Sequence, residues 1–207
     1  MMKYLFIALI LMILNSSCQS ILMKMYGIKD PEIENENSIK KIALKYKLDT
    51  ANIVCINSKD FLYELNGRSI PDAAIYDSKG NYIEYRAFDT SCNAGLFEFI
   101  PNLNTKNSYN KPDSAKLEVE LNKFLDLRGK SIENPEAIWR AAADFYVLIY
   151  WNVWTGKLNK DHVKVWEDAA QNNKNAKIKV IKVNLDLQEH WGATAQNEIM
   201  GKLKKKK

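Results

Sequence analysis

Three cysteines, two histidines and a tryptophan-rich turn are the residues from which this 207-residue chain can build a reactive site. Cys92 follows Asp89-Thr-Ser and precedes a predicted helix. A thiol in the first turn of a helix has a lowered pKa, because the helix dipole favours the thiolate. Cys92 is therefore the candidate catalytic residue, set against the plainer role of a half-buried small residue or a disulfide partner. Cys55 lies between Val54 and Ile56 in an apolar run and reads as core. His162 falls on the apolar side of a predicted helix and reads as packing. His190-Trp191 lies near Asp186 and Glu189, and a carboxylate with an imidazole can move a proton, but nothing nearby supplies a nucleophile. The chain has no glycine-rich phosphate loop, no zinc-ligand spacing and no nucleophile-elbow serine, so no cofactor and no metal is implied. Trp139, Trp151, Trp154 and Trp166 cluster with Tyr146 and Tyr150 in the second half. Their default role is packing; a ring left exposed at a strand end can instead line a ligand cleft.

Charge excludes one class of partner. The net charge is +5, but Lys3 and the five lysines of residues 202–207 account for six of the 30 cations. That leaves 24 cations against 25 anions in the rest of the chain. A near-neutral body with a basic tail lacks the clustered basic face of a nucleic-acid-binding domain. The 46% hydrophobic content is enough for a folded core, and eight Gly and five Pro exclude collagen-like or linker-dominated chains.

Lys3 is followed by an eleven-residue apolar run, Tyr4 to Leu14, and then by Asn15-Ser-Ser-Cys18. The run is too short to span a bilayer, which takes roughly 20 residues. The pattern reads as a secretory signal peptide over 1–17. The small residues before Cys18 resemble the lipobox of bacterial lipoproteins, with Asn15 where that motif usually has Leu and Leu14 one step earlier. The resemblance implies cleavage before Cys18, lipidation of Cys18, and a membrane anchor in the cell envelope. Several acyl chains together make such an anchor stable. The residues after Cys18 carry no acidic cluster, so the periplasmic side is the expected location.

Residues 18–37 read as a tether and 38–201 as one α/β domain, with halves 38–104 and 113–191 joined by a loop over 104–112 and followed by the basic tail 202–207. Ser38 is the expected cap of a helix to about Leu48, with Ile39, Ile42, Ala43 and Tyr46 inward. Residues 52–56 read as a buried strand. A brief helix with Phe61, Leu62 and Leu65 inward is closed by Gly67. Residues 73–76 and 82–85 flank Asp77-Ser-Lys-Gly80 and predict a hairpin. A helix is expected over 93–103, and another from Asp113 or Ser114 carrying Leu117, Leu121, Phe124 and Leu125 until Gly129. Residues 135–143 read as helix, starting at Pro135. Phe145–Trp151 is the most apolar segment after the leader and reads as a central strand. A helix over 159–171 with Leu158, His162, Val165, Trp166 and Ala169 on one side leads to a strand over 178–183, with Lys179 and Lys182 facing out.

Two of these segments together resemble the thioredoxin-like family. In that family a central strand runs into Trp-Cys-x-x-Cys at the start of a helix. Here strand 145–151 runs into Trp154-Thr155-Gly156-Lys157-Leu158, with Thr155 and Leu158 at the cysteine positions. Ile70-Pro71 resembles the proline that leads into another of the family's strands, where the preceding peptide bond is usually cis. The resemblance implies an α/β sandwich with a central mixed sheet flanked by helices, in a non-standard element order, the proline half coming first. It also implies a cleft between Trp154-Thr155-Gly156 and Ile70-Pro71 that takes a partner protein, peptide or small ligand. Without cysteines the site is silent for thiol exchange, so the expected function is a binding module in a membrane-anchored envelope lipoprotein. The alternative is a thiol-dependent redox enzyme using Cys92, with or without Cys55.

Overall fold

The structure is a computed structural model and describes residues 23–86, 93–113, 116–132 and 143–204. Its organising element is strand β6 (Phe145–Trp151), in which all seven residues are buried. A run of aromatic and β-branched residues with no polar alternation is stable only where both faces are covered. β6 pairs antiparallel with β3 (Asp72–Asp77) on one side, Asp72 opposite Tyr150 and Asp77 opposite Phe145. On the other side it pairs in parallel with β7 (Ile178–Asn184), Phe145 opposite Ile178 and Trp151 opposite Asn184. Beyond β7 lie β2 (Ile53–Ile56), parallel to it, and β5 (Phe124–Leu125), antiparallel to β2. β4 (Tyr82–Ile83) closes the opposite edge, so the six-stranded mixed sheet runs β4-β3-β6-β7-β2-β5. A separate pair joins β1 (Ile33–Glu34) to β8 (Leu187–Gln188) in parallel.

Successive strand residues point to opposite faces, and the two cores sort accordingly. Val147, Ile149 and Trp151 pack with Ile39 and Ala43 of helix α1 (Glu36–Lys45) and with Trp166. Tyr146, Leu148 and Tyr150 pack with Phe61 of α2 (Phe61–Asn66), Leu117 and Leu121 of α4 (Leu117–Leu121), and Ile199 of α6 (Gly192–Lys204). Helices thus cover both faces of a mixed α/β sheet. Each large apolar side chain buried this way contributes about 1.5–3 kcal/mol relative to leaving it in water.

Several expectations hold closely. The hairpin forms with Tyr76 opposite Tyr82, and Gly67 follows α2. The expected cis bond at Ile70-Pro71 is present. The helix expected over 93–103 is shorter than that: a 3-10 turn, Asn93–Gly95, leads into α3 (Leu96–Phe99), with Leu96, Ile100 and Leu103 buried and Phe99 half-buried. The predicted helix 135–143 lies almost wholly outside the described residues.

Others are corrected. Residues 23–37 are not a free tether. They contain a helical turn over 23–26 and strand β1, and α1 begins at Glu36. Asn35 is its cap, its side chain accepting from Asn37 N and Ser38 N, while Ser38 returns the bond to Asn35 N. Ser38 is therefore the partner in a capping box instead of the cap itself. The helix expected to carry Phe124 and Leu125 stops at Leu121, because those two residues instead complete the edge of the sheet against Ile56 and Cys55. A π-helical stretch, Asn159–Lys164, precedes α5 (Val165–Gln171). The wider turn shifts the inward face, so Val163, Trp166 and Ala170 are buried while Val165 is 43% exposed. Lys182 does not face out. It is 1% exposed, because β7 is an interior strand, and its Nζ meets Glu167 Oε1 at 2.7 Å.

Candidate functional site

The candidate site lies where β6 ends. Asn152 follows Trp151 in extended conformation and caps a 3-10 turn, Val153–Thr155, its Oδ1 accepting from Thr155 N at 3.2 Å. The Thr155 hydroxyl lies 3.0 Å from Asn152 O and 3.1 Å from Asn159 Oδ1. Asn159 Nδ2 donates to Asn152 O at 2.8 Å. Thr155 is 2% exposed. Thr155 is therefore an internal hydroxyl that ties a turn to a helix. It offers no nucleophile to solvent.

A second polar cluster supports that turn from below. Asp186 Oδ2 accepts from Val153 N at 2.8 Å and from Asn184 Nδ2 at 2.7 Å. Gln188 Nε2 donates to Asn184 Oδ1 at 2.8 Å, and Gln196 Nε2 of α6 donates to Gln188 O at 3.0 Å. Asp186 Oδ1 is buried without a hydrogen-bond partner. Burial pushes the Asp186 carboxyl up to about 8, outweighing the bonds from Val153 and Asn184, with Glu34 adding to the rise.

The chain's own N-terminal segment covers the turn. Lys29 N donates to Trp154 O at 2.9 Å, and Lys157 N donates to Tyr26 O at 2.7 Å. Gly156 has φ +62°, and a Cβ there would collide with Tyr26 O and Gly27 O. Only glycine permits both the conformation and the approach. Beside it, Arg68 stacks on the Tyr150 ring at 3.6 Å and holds Glu64 at 2.7 Å. Lys123 bridges Glu64 and Glu120, and Arg86 holds Asp72, which Arg68 also approaches, so the charges alternate in sign.

Between these parts is a cavity of about 510 Å³, lined by Trp154 and Ile70 among others. Of the five residues expected to form the cleft, Trp154 and Ile70 are in its wall. Pro71, Thr155 and Gly156 are buried and do not line it. Cys18 and Cys92 lie outside the described residues. Cys55 is a buried free thiol, pushed up to about 12 by burial and by Asp126, with its Sγ 3.2 Å from Asp126 O. It is core, as its strand position implies. His162 packs between Phe97 and Trp166, with ring centroids 5.3 and 5.6 Å away. His190 is exposed and lies against Gly129, while Asp186 is committed to Val153 and Asn184. Among the described residues no hydrogen bond joins His190 to Asp186 or Glu189. Among the described residues no cluster of metal-ligating side chains occurs, and no helix is long and apolar enough to cross a membrane.

The sequence reading missed two contributors. One is the segment 23–34, whose signal was apolar Met23, Ile28 and Ile33 in an otherwise polar stretch. The other is α6, whose Ile199, Met200 and Leu203 repeat at helical spacing. Set against family models, curated proteins and solved structures, the chain matches none.

Proposed function

We propose that this protein is a periplasm-facing envelope lipoprotein, anchored through Cys18, whose thioredoxin-like domain is redox-silent and works as a binding module. The observation that carries the reading is the shared cavity. Trp154 and Ile70 come from segments far apart in sequence, and both line one space at the end of adjacent strands β6 and β3. A concave, largely apolar space bounded by a few charged groups is the usual form of a ligand site. The thioredoxin-like part of the reading is supported by that adjacency and by the strand–turn–helix–strand run from β6 to β7. The silent part is supported by the sealed Thr155 hydroxyl.

The test places a photoreactive phenylalanine analogue at position 154 in cells and another at exposed Lys174. Position 154 is expected to yield a crosslinked adduct, to protein or to a small molecule resolved by intact mass, that position 174 does not. Equal labelling, or none at either site, overturns the binding reading. Cys18→Ser is expected to move the protein from the membrane fraction to the soluble one, and retention in the membrane overturns the anchor.

A further inference from the structure

Resting on that reading, we propose that the cavity beside Trp154 binds a linear fatty acid, its acyl chain between Ile70, Leu65 and helix α6 and its carboxylate at a rim formed by Lys29, Arg68 and Lys204. Three features of the cavity narrow the ligand to this class.

The first is what the site can no longer offer. An extended peptide is held through main-chain hydrogen bonds as well as side-chain pockets. The main-chain groups of the turn are already used, Trp154 O by Lys29 N and Lys157 N by Tyr26 O. A ligand entering the cavity meets side chains, and those of Leu65, Ile70, Leu187, Met200 and Leu203 are apolar. Met23 and Met200 face the same space, and unbranched thioethers adapt to a flexible chain.

The second is charge. Lys29, Arg68 and Lys204 line the cavity against a single carboxylate, Asp30. Arg68 is held in place by Glu64 and the Tyr150 ring. Lys29 and Lys204 have no ion-pair partner among the described residues. The excess is positive at the boundary of an apolar space, which selects an anion carried on an apolar body.

The third is size. A cavity of about 510 Å³ lies within the range of small-molecule sites and is too small for a folded partner. Each methylene transferred from water contributes roughly 0.8 kcal/mol, so a medium-length chain accounts for the affinity and the head group for the selectivity.

The experiment uses the chain from residue 18, which contains every described element, carrying Cys18→Ser so that no acyl chain of its own competes. Calorimetric titration compares dodecanoate with 1-dodecanol. Dodecanoate is expected to bind saturably at one site below its micelle threshold. Its preference over the alcohol is expected to be about tenfold, the size the two unpaired rim lysines supply, since the charge of Arg68 is already met by Glu64. Lys29→Gln with Lys204→Gln, both at exposed positions, should remove that preference while leaving alcohol binding in place. Leu203→Trp should block both ligands. Equal binding of acid and alcohol, unaltered binding in Leu203→Trp, or no saturation overturns the proposal. Sedimentation with phosphatidylglycerol vesicles without binding of free dodecanoate also overturns it, since the acyl surface recognised is then a bilayer. Crosslinking at position 154 without dodecanoate binding overturns the ligand class and leaves the binding module standing. Absence of both removes both.

Discussion

At neutral pH the Asp186 carboxyl holds its proton, because burial raises it to about 8. The unfolded chain releases that proton near 3.9. Between roughly pH 4 and 8 the native state therefore binds more protons than the unfolded state, and stability falls as pH rises through that window. Asp186→Asn keeps an oxygen to accept from Val153 N and Asn184 Nδ2, and it removes the titration. Urea unfolding at intervals from pH 5 to 8 is expected to show the wild type losing stability relative to the variant. Parallel curves would mean that the carboxyl is not neutral in the fold. Cys55 makes a second residue-scale case. A thiol raised to about 12 and buried among core side chains is expected to resist alkylation at pH 8 until denaturant is added. Rapid labelling in the native state would show that β2 opens.

Among the elements, β7 has the feature least expected of an interior strand. Lys182 and Glu167 are both essentially without solvent and meet at 2.7 Å. Removing one partner leaves a buried charge, so Lys182→Met or Glu167→Leu alone is expected to cost about 3–5 kcal/mol. The double variant should recover most of that loss, and a double-mutant cycle in urea measures it; strictly additive losses would show that the two do not act as a pair. This pair also shows how much of the fold was legible. Period and composition located β6, β7, the hairpin and the helix after Gly156, because those signals are local. Lys182 is not legible as interior, because alternation along a strand does not reveal which strand is interior. Phe124 and Leu125 continue a helical pattern, yet a free sheet edge at β2 drew them into β5. The π-helical stretch displaced the inward face by one residue, and nothing in the spacing announces such a turn. Trp154 and Ile70, which their motifs set side by side, line one cavity. The Asn152–Thr155–Asn159 and Asn184–Asp186–Gln188 bonds were not legible, since they form only when β6 and β7 bring their ends together.

Residues from three distant parts of the chain meet around the cavity. Residues 23–34 are held by the two main-chain bonds to the Trp154 turn, by the fit against Gly156 and by the β1–β8 pair. β8 is in turn tied to α6 through Gln196, so the N-terminal segment, the turn and the last helix form one assembly around the cavity. Gly156→Ala tests that assembly at its tightest point. A methyl group there costs about 1–3 kcal/mol of backbone strain and also collides with Tyr26 O and Gly27 O. No residue of the segment is fully buried, whereas every residue of β6 is, so the segment gives way before the sheet does. Limited trypsin digestion is expected to cleave at Lys24 and Lys29 several-fold faster in the variant, with the main body still resistant. Dodecanoate affinity should fall in the same protein, because Met23, Ile28 and Lys29 leave the cavity wall together. Unchanged cleavage would show that the β1–β8 pair suffices to hold the segment. Faster cleavage with unchanged dodecanoate affinity would place the ligand on the α6 side of the cavity alone.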